Sequence, residues 1–313
     1  MNNPFPYSFN EKRYHTFNYY LKTHYHRKVS KVVLDAGFTC PNRDGSKGYG
    51  GCIFCSERGS GDTIVAPKEE LLRQFAENRK VMERKWPDSL YIPYFQSFSN
   101  TYGPLEKIQG MLKPFLDMDD VAEIAIATRC DCLPEETVEY LDSLTSIKPI
   151  WLELGLQTSN DAAGKILNRQ YGFQDLKDAL YRLEKTDINV CIHIMNGLPF
   201  ETTEDMLQTV KDISGLPFQA IKIHMLHIIK NTVLASMHER EHYSLISREE
   251  YIDLVVRQLE LLSPKVVIQR LTGDPVAEDL IEPKWLLNKT TILNDIDKRM
   301  RQLDTFQGKH YEQ

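Results

Sequence analysis

The 313-residue sequence contains no long apolar run, and this absence excludes a membrane-spanning helix. Such a helix needs about 20 consecutive apolar residues, and no stretch of the chain approaches that length. The first twenty residues, MNNPFPYSFNEKRYHTFNYY, also lack the basic start and apolar core of a secretory signal. We therefore expect a cytoplasmic protein without a membrane partner, in which thiols stay reduced.

The sequence also lacks a long linker, an internal repeat and any low-complexity segment. Its composition is ordinary for a globular protein, with 42% hydrophobic and 26% charged residues. The formal net charge of −6 argues against a generic nucleic-acid coat protein. This length can bury the core of one large α/β domain or of two smaller domains.

Cysteines are few, and half of the six lie in one loop-forming stretch, DAGFTCPNRDGSKGYGGCIFCSERGSGD. In a reducing compartment, thiols serve metal or redox roles more often than disulfides. A structural zinc site usually draws on two closely spaced pairs of ligands. Here there is one pair, Cys52 and Cys55, and a single partner, Cys40, twelve residues upstream. One alternative is a zinc site that His24 or His26 completes.

The other three cysteines receive different predictions. Cys130 and Cys132 follow a predicted strand with one residue between them, so they are either incidental reduced thiols or a candidate fourth ligand or redox pair. Cys191 lies inside the apolar stretch NVCIHIM and is predicted to be a small buried hydrophobe.

Apolar stretches alternate with amphipathic stretches along most of the chain. Continuous apolar runs suit parallel strands that are covered on both faces. The predicted strands are 31–35, 89–95, 121–128, 149–157, 189–195, 220–226 and 265–269, and the main predicted helices are 67–85, 103–116, 134–144, 173–186, 202–214 and 248–262. Six strand–helix units and a seventh strand predict an α/β fold, an incomplete (β/α)6-type barrel, over residues 31–275. Short extensions, 1–30 and 276–313, flank it.

The N-terminal extension has an unusual charge pattern. Six Lys/Arg and three His lie between Lys12 and Lys31, interleaved with aromatic residues and without an acidic side chain. One interpretation is a surface that binds phosphates and stacks on bases, with Arg13, Lys22, Arg27 and Lys28 as contacts. The other is an amphipathic helix whose aromatic residues pack on the barrel.

Three thiols after the first strand of such a barrel resemble the radical S-adenosylmethionine (radical SAM) superfamily. The usual signature has three and then two residues between cysteines, whereas this sequence has eleven and then two. Glycines in the longer segment allow it to fold back. The resemblance implies that Cys40, Cys52 and Cys55 hold a 4Fe–4S cluster and that Phe54 lies against the adenine of S-adenosylmethionine.

Later motifs extend the resemblance. LELGLQTSND and LNRQYGFQD are similar to the fourth-strand segment of the coproporphyrinogen-oxidase-like and Elongator-type enzymes, which implies that Gln157 and Arg169 contact S-adenosylmethionine. IHIMNGLPFETTEDM is similar to their fifth-strand motif. FQSFSNT replaces the usual second-strand glycine pair, so Ser97, with Gln96 and Ser99, is a candidate cofactor contact. Together with IQRLTGDP, these motifs resemble the YhcC/YtqA-like group.

The resemblance implies reductive cleavage of S-adenosylmethionine to methionine and a 5′-deoxyadenosyl radical, with electrons from a donor such as flavodoxin or ferredoxin. It further implies tRNA as the substrate, modified at the wobble uridine or its substituent. Because the barrel and its flanks account for the 313 residues, we expect radical rearrangement, cleavage or transfer rather than acetyl-coenzyme A chemistry. The alternatives are a small-metabolite or porphyrin-like substrate, or a non-catalytic iron–sulfur or zinc module that binds RNA or a protein.

Overall fold

The computed structural model describes residues 3–59 and 70–312. Its main feature is one sheet of seven parallel strands, arranged in the same order as in the sequence. The strands are β1 (Val29–Leu34), β2 (Leu90–Phe95), β3 (Ile124–Arg129), β4 (Ile150–Gln157), β5 (Asn189–Asn196), β6 (Ala220–Met225) and β8 (Val267–Arg270). All seven predicted strands are present, and every pairing between them is parallel. The prediction of an incomplete α/β barrel is confirmed.

Helices separate most of these strands, as the amphipathic pattern predicts. They are α1 (Phe17–Tyr25), α2 (Leu71–Lys85), α3 (Leu105–Leu116), α4 (Glu135–Leu144), α5 (Asp161–Ile166), α6 (Phe173–Leu183), α7 (Thr203–Ser214), α8 (Val233–Glu241), α9 (Arg248–Leu261) and α10 (Lys289–Gln302), with a short 3-10 helix at Lys284–Asn288. The start of the predicted helix 67–85 lies outside the described residues. Sequence patterns did not predict α8 or the two short strands β7 (Ile228–Ile229) and β9 (Leu280–Glu282). No helix within the described ranges is long and apolar enough to cross a membrane.

The two faces of the sheet differ in composition because successive side chains of a strand point to opposite sides. The outer face is apolar and packs with the helices, through Val32, Leu34, Phe95, Ile124, Ile126, Leu152, Leu154, Val190, Ile192, Ile221 and Ile223. The inner face has a smaller apolar layer near the strand starts, made of Val29, Ile92, Ala125, Trp151, Cys191, Ala220 and Val267. Polar side chains lie farther along the inner face of the same strands.

The sheet curls strongly, as contacts across its inner face show. In a flat sheet the first and seventh strands would lie about 29 Å apart at the usual strand spacing. Instead, Lys31 Nζ on β1 donates to Gln269 Oε1 on β8 over 2.7 Å. Lys222 Nζ on β6 likewise donates to the Tyr94 hydroxyl on β2 over 3.1 Å. The strands therefore surround an interior, although the sheet does not close between β1 and β8.

Helix α1 packs against the end of the barrel at which the strands begin. The rings of Phe17 and Tyr20 meet the indole of Trp151 edge-on, with centroids 6.3 and 5.8 Å away. The buried Glu123 carboxylate accepts hydrogen bonds from Tyr20 (3.1 Å), Tyr25 (2.9 Å) and the Trp151 indole (2.9 Å). The interpretation that these N-terminal aromatic residues pack on the barrel is confirmed.

Strands β7 and β9 and helix α8 lie at the opposite end of the barrel. Strands β7 and β9 pair in antiparallel fashion, and α8 follows β7. An apolar cluster joins this region to the segment between Cys52 and Cys55, where Leu234 N donates to Ile53 O over 2.9 Å. The stretch that carries two of the cysteines is therefore held between α8 and the sheet.

Candidate functional site

The described part of the cysteine loop, residues 35–59, begins where β1 ends. The eleven residues between Cys40 and Cys52 fold back on themselves. Pro41 O accepts from Lys47 N (2.8 Å) and Gly48 N (3.2 Å), and Asn42 O accepts from Gly51 N (2.8 Å). Gly51 has φ +78°, a left-handed conformation that glycine adopts without strain. The long spacing therefore becomes a compact turn that returns the chain toward Cys40.

Asparagine side chains attach this loop to the segment after β4. Asn168 Nδ2 donates to Gly51 O over 2.8 Å, and Asn42 Nδ2 donates to Asn168 O. Asn42 Nδ2 also lies 3.8 Å from Cys52 Sγ. The sequence predicted no role for either asparagine, because asparagine is common in loops of every kind.

The three thiols influence one another electrostatically. A hydrogen bond from Cys55 lowers the pKa of Cys52, and the charge of Arg129 acts in the same direction against burial. That hydrogen bond and burial raise the pKa of Cys55, which also feels Cys40. Cys55 therefore lies within the electrostatic influence of both other loop thiols, Cys52 and Cys40.

A buried arginine that the sequence did not single out lies against the first thiol. Arg129 Nη1 is 3.7 Å from Cys40 Sγ. Its other nitrogens bond both carboxylate oxygens of Asp131 at 2.8 Å. Lys47 Nζ binds the same carboxylate over 2.6 Å. This network holds a cation beside the sulfur. The only signal in the sequence was a charged residue at the end of an apolar strand.

The described residues form no ready site for a single metal ion. Within residues 3–59 and 70–312, no three His, Cys, Asp or Glu side chains converge closely enough to hold one metal ion. His24 lies on α1, at the opposite end of the barrel, with Nδ1 2.8 Å from Tyr20 O. The structure thus gives no support to a zinc site completed from α1, whereas three thiols with neighbouring guanidinium groups suit an anionic cluster.

The remaining cysteines are buried. Cys130 belongs to the outer core, and burial raises its pKa. Burial likewise raises the pKa of Cys132 to about 12. Cys191 is fully buried at the base of the barrel, which confirms the prediction of a small buried hydrophobe. The incidental interpretation of Cys130 and Cys132 stays a prediction, because the pKa of Cys55 is raised as well.

Gln157 lies at the end of β4 in a strained conformation. Its φ is +65°, next to an irregularity in the pairing of β4 with β5. The Tyr171 hydroxyl is 2.7 Å from Gly155 O and 3.2 Å from Gln157 Oε1. A Cβ at Gly155 would lie only 2.8 Å from Gln157 Nε2, so glycine makes room for this side chain. Strained backbone of this kind is common at ligand sites.

Arg169 is predicted to contact S-adenosylmethionine, and in the structure its guanidinium bonds groups of the protein itself. It is completely buried, and its guanidinium donates to the carbonyl oxygens of Tyr171 (2.8 Å), Thr158 (2.6 Å) and Leu156 and to Asp161 Oδ1 (3.0 Å). These bonds use at least four of its five N–H donors. Arg169 therefore positions the turn after β4, where Gln157 lies.

The other predicted cofactor contacts, Phe54, Ser97 and Ser99, lie in two separate segments of the chain. Phe54 is partly buried against the apolar cluster between the cysteine loop and α8. Ser97 and Ser99 are buried after β2, where Asn100 Nδ2 lies 2.9 Å from Ser97 O and 3.1 Å from Ala127 O. The segment that replaces the usual glycine pair is thus anchored to β3.

The predicted phosphate contacts need a correction at one position. Arg13 is buried, and its guanidinium bonds Asp304 Oδ1 (2.7 Å) and Thr305 O (3.3 Å), so it ties the N-terminal segment to the C-terminal one. Lys22 and Arg27 are exposed, with Arg27 bound to Asp88 O, and Lys28 is half-buried over the Trp86 ring. The last three lie at the strand starts, about 20 Å from the cysteine loop along six-residue β1.

Four ionisable side chains that motif reading overlooked lie together on the inner face. Lys31, Glu153, His193 and Lys222, here called the inner polar layer, come from β1, β4, β5 and β6. Glu153 bonds the other three, with His193 Nε2 2.9 Å away. A single charged residue in each of several apolar strands was the available signal.

The sheet forms a curled, all-parallel α/β barrel, and three thiols follow the carboxyl end of its first strand. The protein therefore belongs to the class of α/β barrels suited to an iron–sulfur cofactor. The sequence matches the family described as Radical SAM superfamily over residues 40–213 and the Radical_SAM C-terminal domain over residues 218–302. The chain belongs to the radical SAM superfamily. The predicted resemblance is confirmed.

Individual relatives show which members of the superfamily this chain is similar to. The chain is 43% identical to YtqA of Bacillus subtilis (strain 168), over 99% of this chain and 97% of that protein. It is 29% identical to YhcC of Escherichia coli (strain K12), over 90% of each chain. Among solved structures, the fold resembles Elp3 from Methanocaldococcus infernus with a TM-score of 0.67 and 16% identity, covering 90% of this chain and 64% of that one. At that identity the likeness shows the fold alone.

More distant relatives have names that specify chemistry. Archaeosine synthase subunit beta of Methanosarcina acetivorans is 23% identical over 72% of this chain and 66% of its own length. The tRNA uridine(34) acetyltransferase of Methanocaldococcus infernus is 24% identical over 51% of this chain and 30% of its own length.

Proposed function

We propose that this protein is a radical SAM enzyme that modifies tRNA at the wobble uridine or its substituent. The observation that supports the enzyme assignment best is the cysteine loop, in which the side chains of Cys52 and Cys55 share a hydrogen bond and Arg129 Nη1 lies 3.7 Å from Cys40 Sγ. Support for tRNA comes from the names of distant relatives, two of which specify tRNA uridine or archaeosine chemistry.

In this proposal Cys40, Cys52 and Cys55 hold a 4Fe–4S cluster, and Arg129 offsets their negative charge. When bound, the cluster and S-adenosylmethionine supply one-electron cleavage and a radical able to abstract hydrogen, with the electron from a donor protein such as flavodoxin or ferredoxin. Phe54, Gln157 and Ser97 would contact S-adenosylmethionine. Arg169 holds the turn that presents Gln157.

Anaerobic reconstitution followed by an S-adenosylmethionine cleavage assay tests the enzyme assignment. We expect brown protein that forms 5′-deoxyadenosine with a reductant. A colourless protein that binds zinc and cleaves nothing would instead identify a non-catalytic module. For the substrate, tRNA from a strain without the gene is incubated with the enzyme and digested to nucleosides. A mass change at the wobble uridine supports the proposal, and unchanged nucleosides would favour a small-metabolite substrate.

Gln157→Ala is expected to weaken S-adenosylmethionine binding by about 1–3 kcal/mol while leaving the cluster absorbance intact, because a buried polar contact is lost. Calorimetric titration of the reconstituted protein measures the change. Gln174→Ala, on the exposed surface of α6, is the matched control and should bind like wild type. Equal affinity in both variants would exclude Gln157 from the cofactor site.

The N-terminal basic residues are expected to contact tRNA away from the reacting base, because they lie at the opposite end of the barrel. Phosphate contacts release counterions, so affinity should fall steeply with salt. The Lys22→Ala/Arg27→Ala/Lys28→Ala variant should lower the logarithmic salt slope by about one unit for each true contact. Filter binding across a salt series gives the slopes. Slopes identical to wild type would leave these residues with a structural role only.

A further inference from the structure

The inner polar layer is not required by the fold. The apolar layer beneath it, which includes Ala125, Cys191 and Ala220, shows that small apolar residues fill the same inner face. Burying ions is costly unless each is well paired, and apolar replacements are often neutral or stabilising. Four ionisable groups gathered on one inner face are therefore typical of a functional site.

The arrangement within the layer is asymmetric. The Glu153 side chain is completely buried, whereas Lys31, His193 and Lys222 retain 19%, 18% and 6% exposure. The nitrogens thus lie between the carboxylate and the barrel interior. Glu153 and Gly155 are successive inner-face positions of β4, about 7 Å apart at the usual rise, and the pairing becomes irregular between Gly155 and Gln157. Since Gly155 has no side chain, the Gln157 side chain lies over it, next to the inner-face position that Glu153 occupies.

Lys31 and Lys222 share the Glu153 carboxylate, and this determines the net charge of the inner polar layer. With both lysines protonated and His193 neutral, the layer carries one net positive charge. When Lys222 loses its proton, Lys31 still neutralises Glu153, so the layer tolerates either state. Burial, opposed by Glu153 and assisted by Lys31, lowers the pKa of Lys222 to about 7. The His193 pKa falls to about 4, again mainly through burial.

Resting on the proposed function, we propose that Lys222 is a catalytic residue that donates a proton to the substrate inside the barrel. Glu153, Lys31 and Tyr94 are the positioning residues that hold it. The N–H bond of the ammonium breaks, its electron pair stays on Nζ, and an O–H or N–H bond forms on a nucleoside heteroatom. No electron is exchanged in this step. Amines tuned toward neutrality are efficient proton donors near pH 7.

The groups that face Lys222 set the direction of the pH dependence. They are Lys31 on β1, Tyr94 on β2, Glu153 on β4, Cys191 and His193 on β5, His224 on β6 and Arg270 on β8. A proton donor works only while protonated, so product formation should decline as pH rises through the Lys222 pKa. Lys31→Met removes a like charge, which raises that pKa and moves the decline to higher pH.

The first test needs no substrate. Lysine side chains are isotope-labelled, the Lys222 signal is assigned by its loss in Lys222→Arg, and its shift is followed by NMR from neutral to alkaline pH. We expect Lys222 to titrate near neutrality and to move upward in Lys31→Met. Titration near the ordinary lysine value of about 10.4 in wild type would overturn the proposal.

The second test follows tRNA nucleoside product and 5′-deoxyadenosine together. Lys222→Arg keeps a positive charge but cannot donate at these pH values, so product should fall about 100-fold while uncoupled 5′-deoxyadenosine formation persists. Lys211→Arg, exposed on α7, is the matched control. Wild-type product levels in Lys222→Arg at every pH would also overturn the proposal. If wild type itself converts no tRNA nucleoside, the proposed function fails, and the titration alone decides the role of Lys222.

Discussion

Alanine substitution of Cys40, Cys52 or Cys55 is expected to abolish the broad visible absorbance that the wild-type protein gains on anaerobic reconstitution with iron and sulfide. In the proposed function each thiol is one of three ligands on a single loop, and no spare thiol lies within that loop's described residues. Loss of one thiolate therefore removes a third of the protein ligands. Absorbance spectra and iron and sulfide content, measured on the folded variants, report the result.

Cys130→Ala and Cys191→Ala are the matched controls and should retain the absorbance. Both thiols are buried among apolar side chains, and burial raises both pKa values. If Cys130→Ala lost the cluster while Cys40→Ala kept it, the ligand assignment would be wrong. Circular dichroism separates loss of the cluster from loss of the fold.

Arg169→Ala is expected to lower the free energy of unfolding by at least about 3 kcal/mol, because three backbone carbonyl groups lose their donor and each buried group left unpaired costs about 1–3 kcal/mol. The affected oxygens belong to Leu156, Thr158 and Tyr171. Urea denaturation of the apoprotein measures the change without the cofactor.

Arg182→Ala is the matched control, since this arginine lies on α6 and is exposed. It should change stability by less than about 0.5 kcal/mol, as exposed substitutions usually do. If Arg169→Ala were equally stable but bound S-adenosylmethionine weakly, Arg169 would be a direct cofactor contact, as the family resemblance implies, and its role in positioning the turn would be wrong.

Much of this protein could be predicted from its sequence because the relevant signals are local. Continuous apolar runs separated by amphipathic segments predicted all seven strands of the sheet and their parallel direction. The order of the cysteines and later motifs predicted the superfamily. Strands β7 and β9 were missed, since two or three residues carry too little periodicity for a strand prediction. Helix α8 was missed as well.

What the sequence by itself determined is the chemistry available at each strand end: three thiols after β1 and a glutamine at the end of β4. Only the tertiary structure decided which groups meet. The curl of the sheet brings Lys31, Glu153 and Lys222 together from strands far apart in the chain. Burial and hydrogen bonds to backbone carbonyl groups hold Arg13 and Arg169 within the fold, and packing placed α1 at the end of the barrel opposite the thiols. The physical reason is that residue type and periodicity are local, whereas burial and the charge around a group depend on long-range contacts.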